Sequence, residues 1–256
     1  MRRRVLYIVG LALFFGTLIG VPLAYKYFTV PPTCSDGKQN QGETAPDRGG
    51  QCPRVDANTL APSSILWARA FRVRDGSYTA TSYIENPNDH AGVLHAPYIF
   101  RLYDQDNVLI AERAGETYVM PGGITPVLES AIGTGHRIVA HTFFQFTRPL
   151  TWEHYDDASV AITVNDRSLE SADTSPRLEA RADNTSVKNY LNVSFVAVIF
   201  DTAGNAFAVS ATRLDRLEAG QSAPIVFAWP QPFAMQAGRI DIIPLLPPVP
   251  AWTKAD

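Results

Sequence analysis

Reactive side chains are scarce in this chain. Its 256 residues hold two cysteines, three methionines and five histidines. There is no H-E-x-x-H pair, no paired-cysteine zinc pattern, no G-x-S-x-G elbow and no phosphate-binding lysine loop. These absences exclude zinc-hydrolase, serine-hydrolase and nucleotide-binding chemistry in their recognisable forms. Gly133-Thr134-Gly135 lacks the third glycine and the following helix of a dinucleotide loop. His90, His95, His136, His141 and His154 are too scattered for a ligand set. Asp104 and Asp106, like Asp156 and Asp157, fall in turn-like stretches, where Asp binds its own backbone rather than forming a glycosidase pair. No catalytic residue and no resident organic cofactor are expected.

Positive charge is also short. The chain has 22 basic and 25 acidic residues, and three of the basic ones are Arg2, Arg3 and Arg4 at the extreme N-terminus. Nucleic-acid binding needs a basic face to neutralise phosphates, so a nucleic-acid partner is not expected.

One long uncharged run is present. Val5–Tyr25 carries no ionisable charge that would stop it crossing a bilayer, and as a helix at about 1.5 Å per residue it spans roughly 31 Å. Backbone groups in lipid must be satisfied within the segment, so a single span has to be helical. Arg2–Arg4 on the short side place residues 1–4 in the cytoplasm and residues 26–256 outside. A cleaved signal peptide is the competing reading. Its apolar core would be shorter, and Pro22-Leu23-Ala24 makes a poor cleavage site. The expected location is the cell membrane, with the bilayer as a partner through residues 5–25.

Residues 26–64 have few large apolar side chains after Tyr25, Tyr27 and Phe28, whose rings suit the lipid–water interface. The rest of the segment is rich in Gly, Pro, Ser, Thr, Asn and Asp and reads as a stalk. It contains both cysteines. In an exported segment Cys34 and Cys52 are expected to pair with each other, two free thiols or an intermolecular bridge being the alternatives. The closed loop of about 19 residues is worth roughly 3 kcal/mol in the chain-entropy model. Asp36, Asn40, Glu43 and Asp47 inside it offer hard oxygen donors, and Gly37 and Gly42 permit sharp turns, which makes calcium the candidate ion. Lys38 and Arg48 count against it, and the spacing is not that of the helix–loop–helix calcium site. A solvated linker is the alternative.

From Ile65 onward short apolar runs alternate with turn residues. Arg69–Val73, Tyr78–Ile84, His95–Tyr103, Val108–Glu112, Ile138–Phe146 and Val160–Val164 are of strand length. Asn86-Pro87-Asn88, Asp104–Asn107 and Pro121-Gly122-Gly123 punctuate them. No 3.6-residue pattern follows the anchor, so an all-β sandwich architecture is expected. The pattern also repeats after about a hundred residues. Asn86 matches Asn184, Asp104 matches Asp201, Gly122 matches Gly220 and Pro126 matches Pro224, within one residue of a constant offset. The expected layout is a first sandwich over 65–168, a second over 169–249 and a tail over 250–256 containing Trp252. Leu191, Val193, Phe195, Ala197 and Ile199 alternate along one face, and Asn192 and Ser194 begin a mixed opposite face.

Phe100-Arg101-Leu102-Tyr103-Asp104 fits the F-x-L-Y-D signature, and residues 65–249 resemble the FxLYD domains, Ig-like β-sandwiches of exported bacterial proteins. The second copy departs from the signature as Ala197-Val198-Ile199-Phe200-Asp201, and Phe227-Ala228-Trp229-Pro230 is similar to a terminal strand of such domains. The resemblance implies a fold and no catalytic residues. Cys34–Cys52 likewise resembles a short cysteine-framed segment of bacterial surface proteins, C-x-D-G-x-x-N-x-x-E-x-x-x-D-x-G-G-x-C, with Arg48 where that segment usually has another cysteine. The expectation is a membrane-anchored envelope protein with two tandem Ig-like sandwiches, serving scaffolding, adhesion or assembly with an envelope protein partner. An envelope enzyme with an unrecognised site and a calcium-responsive stalk are the alternatives. Asn184-Thr185-Ser186 and Asn192-Val193-Ser194 fit glycosylation acceptors, relevant only in a eukaryotic secretory pathway.

Overall fold

The computed structural model describes residues 2–29, 34–40, 42–155 and 161–248. The Asp156-Asp157 pair, the tail over 250–256 and its Trp252 lie outside the described residues. The chain divides into two units, Met1–Asp56 and Ala57–Asp256.

The first unit begins with helix α1, Arg2–Thr29. Its stretch Arg4–Lys26 is long and apolar enough to cross a membrane, and none of it is buried in the protein. It is apolar all round rather than on one stripe, unlike a helix that lies on a core. Thr17 is absorbed by the helix itself, its hydroxyl donating to the carbonyls of Leu13 at 2.9 Å and Phe14 at 3.0 Å. The helix runs through Pro22, which has no N–H to donate to the carbonyl one turn earlier, a substitution better tolerated in membrane helices than in soluble ones.

The second unit is built of antiparallel strands. The first six are β1 (Ser64–Arg74), β2 (Ser77–Asn86), β3 (Ala91–Tyr103), β4 (Leu109–Val119), β5 (Gly123–Gly133) and β6 (His141–Phe146). They form the sheets β1-β2-β5 and β4-β3-β6, and the short β7 (Glu153–His154) pairs with the start of β3. The next six are β8 (Ile162–Glu170), β9 (Arg177–Asn184), β10 (Tyr190–Phe200), β11 (Ala206–Leu217), β12 (Ser222–Ala228) and β13 (Arg239–Leu245). Their sheets are β12-β9-β8 and β11-β10-β13, so strand order is the same in both halves.

Alternation places the cores. In the second sandwich Leu178, Ala180 and Ala182 of β9 meet Val193, Phe195, Ala197 and Ile199 of β10. In the first, the rings of Tyr98, Phe100 and Phe144 pack together, with Phe100 and Phe144 4.9 Å apart. Full burial of one such side chain stabilises by about 1.5–3 kcal/mol. Residues matched between the halves make matched bonds. The amide of Asn86, at the end of β2, donates to the carbonyls of Ala91 and Met120. That of Asn184, at the end of β9, donates to Lys188, Leu217 and Glu218. Gly122 and Gly220 both have positive φ, near 63° and 66°, and donate to Asn88 and Ser186, each two residues past the buried Asn. Pro126 pairs with Tyr83 and Pro224 with Arg181, each three residues before it.

Three expectations are corrected. The boundary between residues 168 and 169 cuts through β8, which pairs with β9 and so belongs to the second sandwich. A strand-length run does not by itself say which neighbour it joins. Leu191, expected on the core face of β10, is 65% exposed because β10 extends past the core there. The opposite face of β10 is not mixed further along. Val196, Val198 and Phe200 are buried, and they pack against Trp67, Phe71 and Tyr83 of the first sandwich.

Candidate functional site

The cystine loop is the first candidate. Cys34 and Cys52 are bonded, with Cα atoms 5.5 Å apart. The buried residues between Cys34 and Asp56 are Glu43, Cys52 and Asp56, so this segment has no apolar core of its own among the described residues. Side-chain carboxylates hold it instead. Asp47 accepts from the Gly37 N–H at 3.1 and 3.0 Å, and Asp36 accepts from the Lys38 N–H at 2.9 Å. Glu43, 7% exposed, accepts from the N–H groups of Asn40 at 3.1 Å and Asp47 at 3.3 Å. The Asn40 amide donates to Asp36 at 3.1 Å, while its Oδ1 is buried without a hydrogen-bond partner. Gly50 is fixed by crowding, since a Cβ there would stand 2.8 Å from the Gly42 carbonyl oxygen at a φ of +59°.

The four residues read as calcium ligands are thus neighbours in one hydrogen-bonded loop. Asp36, Glu43 and Asp47 each spend at least one carboxylate oxygen on backbone N–H groups. Asp36 and Asp47 do not join Glu43 in a three-donor cluster. Among the described residues the group that does is Cys34, Glu43 and Cys52, whose two sulfurs are already bonded to each other.

The scattered polar residues have local roles. Asp104 accepts from the N–H groups of Asp106 and Val108 and pairs with Arg137. Asp201 accepts from Ala203 and Asn205 in the matching turn. The hydrogen bonds from Val108 and from Asn205 hold these two carboxyls below the ordinary range. His95 faces Glu116 at 2.8 Å on the surface, and the His90 ring lies 3.3 Å from the Tyr155 carbonyl. Asn184 is 2% exposed with its amide fully engaged, whereas Asn192 is exposed at a φ of 57°. A depression of about 140 Å³ lined by Arg72, Asp75, Tyr78, His136 and Arg137 is well under the several hundred Å³ of a ligand pocket.

The second candidate was not expected from sequence. It is the seam between the sandwiches. Trp67 stacks on Tyr83 at 4.5 Å, and both meet Phe200 edge-on at 6.3 and 6.2 Å. The guanidinium of Arg239 lies 3.9 Å over the other ring system, that of Phe200. Arg69 crosses the seam and donates to the Ala206 carbonyl at 2.9 Å. The signal for it was the unbroken apolar run Val196–Phe200, which fits a strand buried on both faces. The chain matches no protein-family model and no curated protein.

Proposed function

We propose that this chain is a single-pass membrane-anchored envelope protein. Helix α1 is the anchor, Arg2–Arg4 stay in the cytoplasm, and the cystine segment and the paired sandwiches lie outside. The external part is non-catalytic and serves scaffolding, adhesion or assembly with an envelope protein. The observation that carries this reading is the helix, apolar on every side, with its stretch Arg4–Lys26 nowhere buried in the protein. Its closest sequel, a disulfide-closed segment held by carboxylates rather than a core, supports an oxidising exterior. The shared strand order and the matched Asn and Asp bonds support a tandem duplication of FxLYD-type sandwiches.

Protease digestion of intact and lysed cells tests the topology. The sandwiches should be cut in intact spheroplasts, and the chain should resist alkaline extraction from membranes. Release of a shortened chain into the soluble fraction would show that α1 is a cleaved signal. A calcium-responsive stalk is the second reading, favoured by Asn40 Oδ1, a buried oxygen without a hydrogen bond beside acidic side chains. Calorimetry of the whole chain in detergent, with calcium and then with chelator, should show a melting shift. Identical traces would remove that reading.

A further inference from the structure

One carboxylate oxygen of the cystine segment faces sulfur rather than a proton donor. Glu43 is 7% exposed, and its Oε2 accepts from the N–H groups of both Asn40 at 3.1 Å and Asp47 at 3.3 Å. Its Oε1 lies 3.1 Å from Sγ of Cys52, a residue 4% exposed. A disulfide sulfur has no proton to give, so this contact is not a hydrogen bond while the bridge is closed. Among the described residues Oε1 meets no other donor, an unfavourable state for a buried carboxylate oxygen. Cys34 Sγ, Cys52 Sγ and a Glu43 oxygen all lie within 4.8 Å of one another. Asp36 and Asp47 stay outside that group, turned to the N–H groups of Lys38 and Gly37.

We propose that the reduced segment is a site for a zinc-class divalent cation, held by Cys34 Sγ, Cys52 Sγ and Glu43 Oε1. A dithiol opens the bridge: it gives two electrons and two protons, becomes a disulfide itself and leaves two thiols. The cation then displaces those two protons to solvent and binds two thiolates and the carboxylate. Two sulfurs with one oxygen suit zinc, whereas calcium takes oxygen donors alone. The geometry is close to what zinc needs. With Zn–S of about 2.3 Å and Zn–O of about 2.0–2.2 Å, tetrahedral donors stand roughly 3.5–3.8 Å apart. Glu43 Oε1 and Cys52 Sγ are within a few tenths of an ångström of that, so the main movement is the parting of the two sulfurs. Cys34 is only half-buried and has the room to turn. The two N–H groups on Oε2 supply the outer hydrogen bonds that fix a ligating carboxylate. Water takes the fourth position. Bridge and ion are alternatives at the same two sulfurs, so the segment is cross-linked in either redox state. This site is separate from the calcium reading, which uses the closed loop with Asp36 and Asp47.

Cobalt(II), a spectroscopic substitute for zinc, tests the site in the full chain in detergent. The chain is reduced without oxygen by a water-soluble phosphine, which ends as its oxide and leaves no competing thiol. Reduced wild type should bind one equivalent, with thiolate-to-cobalt charge transfer and the intense d–d bands of a tetrahedral site. Zinc should abolish these bands and calcium should not. The oxidised chain should show none of them. Glu43→Gln should weaken cobalt binding about tenfold or more while keeping the thiolate band. Asp36→Asn, which removes a charge from the loop but no donor from the site, should bind as wild type does. Cys52→Ser should weaken binding at least as much as Glu43→Gln, and it serves if Glu43→Gln folds poorly. A reduced wild type without the thiolate band, or equal affinity in wild type and in a folded Glu43→Gln or Cys52→Ser, would overturn the proposal.

Discussion

The two sandwiches share a strand order and differ in what their outer faces carry. On β2 the outward residues Thr79, Thr81 and Tyr83 are buried, Tyr83 against Phe200 of the second sandwich. The matched positions of β9, counted back from Asn184 as these are from Asn86, are Arg177, Glu179 and Arg181, all exposed. The other sheets differ in the opposite sense, though less completely. Val196, Val198 and Phe200 of β10 are docked, whereas on β3 the matched Ile99 is buried, Arg101 is half-buried in an ion pair with Glu112 at 2.8 Å and Tyr103 is half-buried. One scaffold therefore presents a docked or a more solvated face according to a few side chains on each strand. An arginine at the centre of a sheet face resists dehydration, and a valine there favours it.

Exchanging those residues breaks the comparison most forcefully. Val198→Arg puts an unpaired charge into the seam and should cost about 3–5 kcal/mol, with the sandwiches separating before either core melts. The reciprocal Arg101→Val, on a face open to water, should change stability by about 0.5 kcal/mol or less. Scanning calorimetry with small-angle scattering distinguishes the outcomes, and two equal effects would remove the distinction between the faces. Next in size are Asn86→Ala and Asn184→Ala. Each strands buried carbonyls, so each should cost about 2–3 kcal/mol in denaturant melts, and a large disparity would mean that the matched amides do different work. Smaller again is Thr81→Val, which removes a buried hydroxyl without a partner and should stabilise by about 1 kcal/mol. The matched Glu179→Val should be nearly neutral.

The matched turns supply the last test. Asp104 and Asp201 are held below the ordinary carboxylate range, so their contribution is present above about pH 4 and fades as pH falls through their depressed values. Asp104→Asn and Asp201→Asn should each flatten the acid limb of the melting curve without moving the neutral plateau much. Melting temperatures recorded down the acid range check this for each turn separately.

Features set by a residue and its near neighbours were legible from sequence. The Asn86/Asn184, Asp104/Asp201, Gly122/Gly220 and Pro126/Pro224 matches were visible because each residue satisfies a local backbone demand that recurs with the fold. The pairing of Cys34 with Cys52 needed little more than a count of two cysteines. The membership of β8 was not legible, and the apolar run Val196–Phe200 marked a doubly buried strand without showing what covers it, because both depend on which sheet lies alongside. The acidic residues of the cystine loop read as ion ligands because oxygen donors look the same in a sequence whether they face a cation or an N–H group. The structure assigns Asp36, Glu43 and Asp47 N–H partners.

Pro126 and Pro224 have a consequence beyond their matched positions. Among the described residues, strands β5 and β12 each pair on one side only, with β2 and β9. A proline in such a strand is compatible with the ladder when its nitrogen points away from the partner. The free border of each sheet then lacks a donor at that point, so an approaching foreign strand meets a gap where it needs a hydrogen bond. A sheet border open along its whole length is a nucleus for aggregation. Two imino acids make these borders poor templates without altering the packed side.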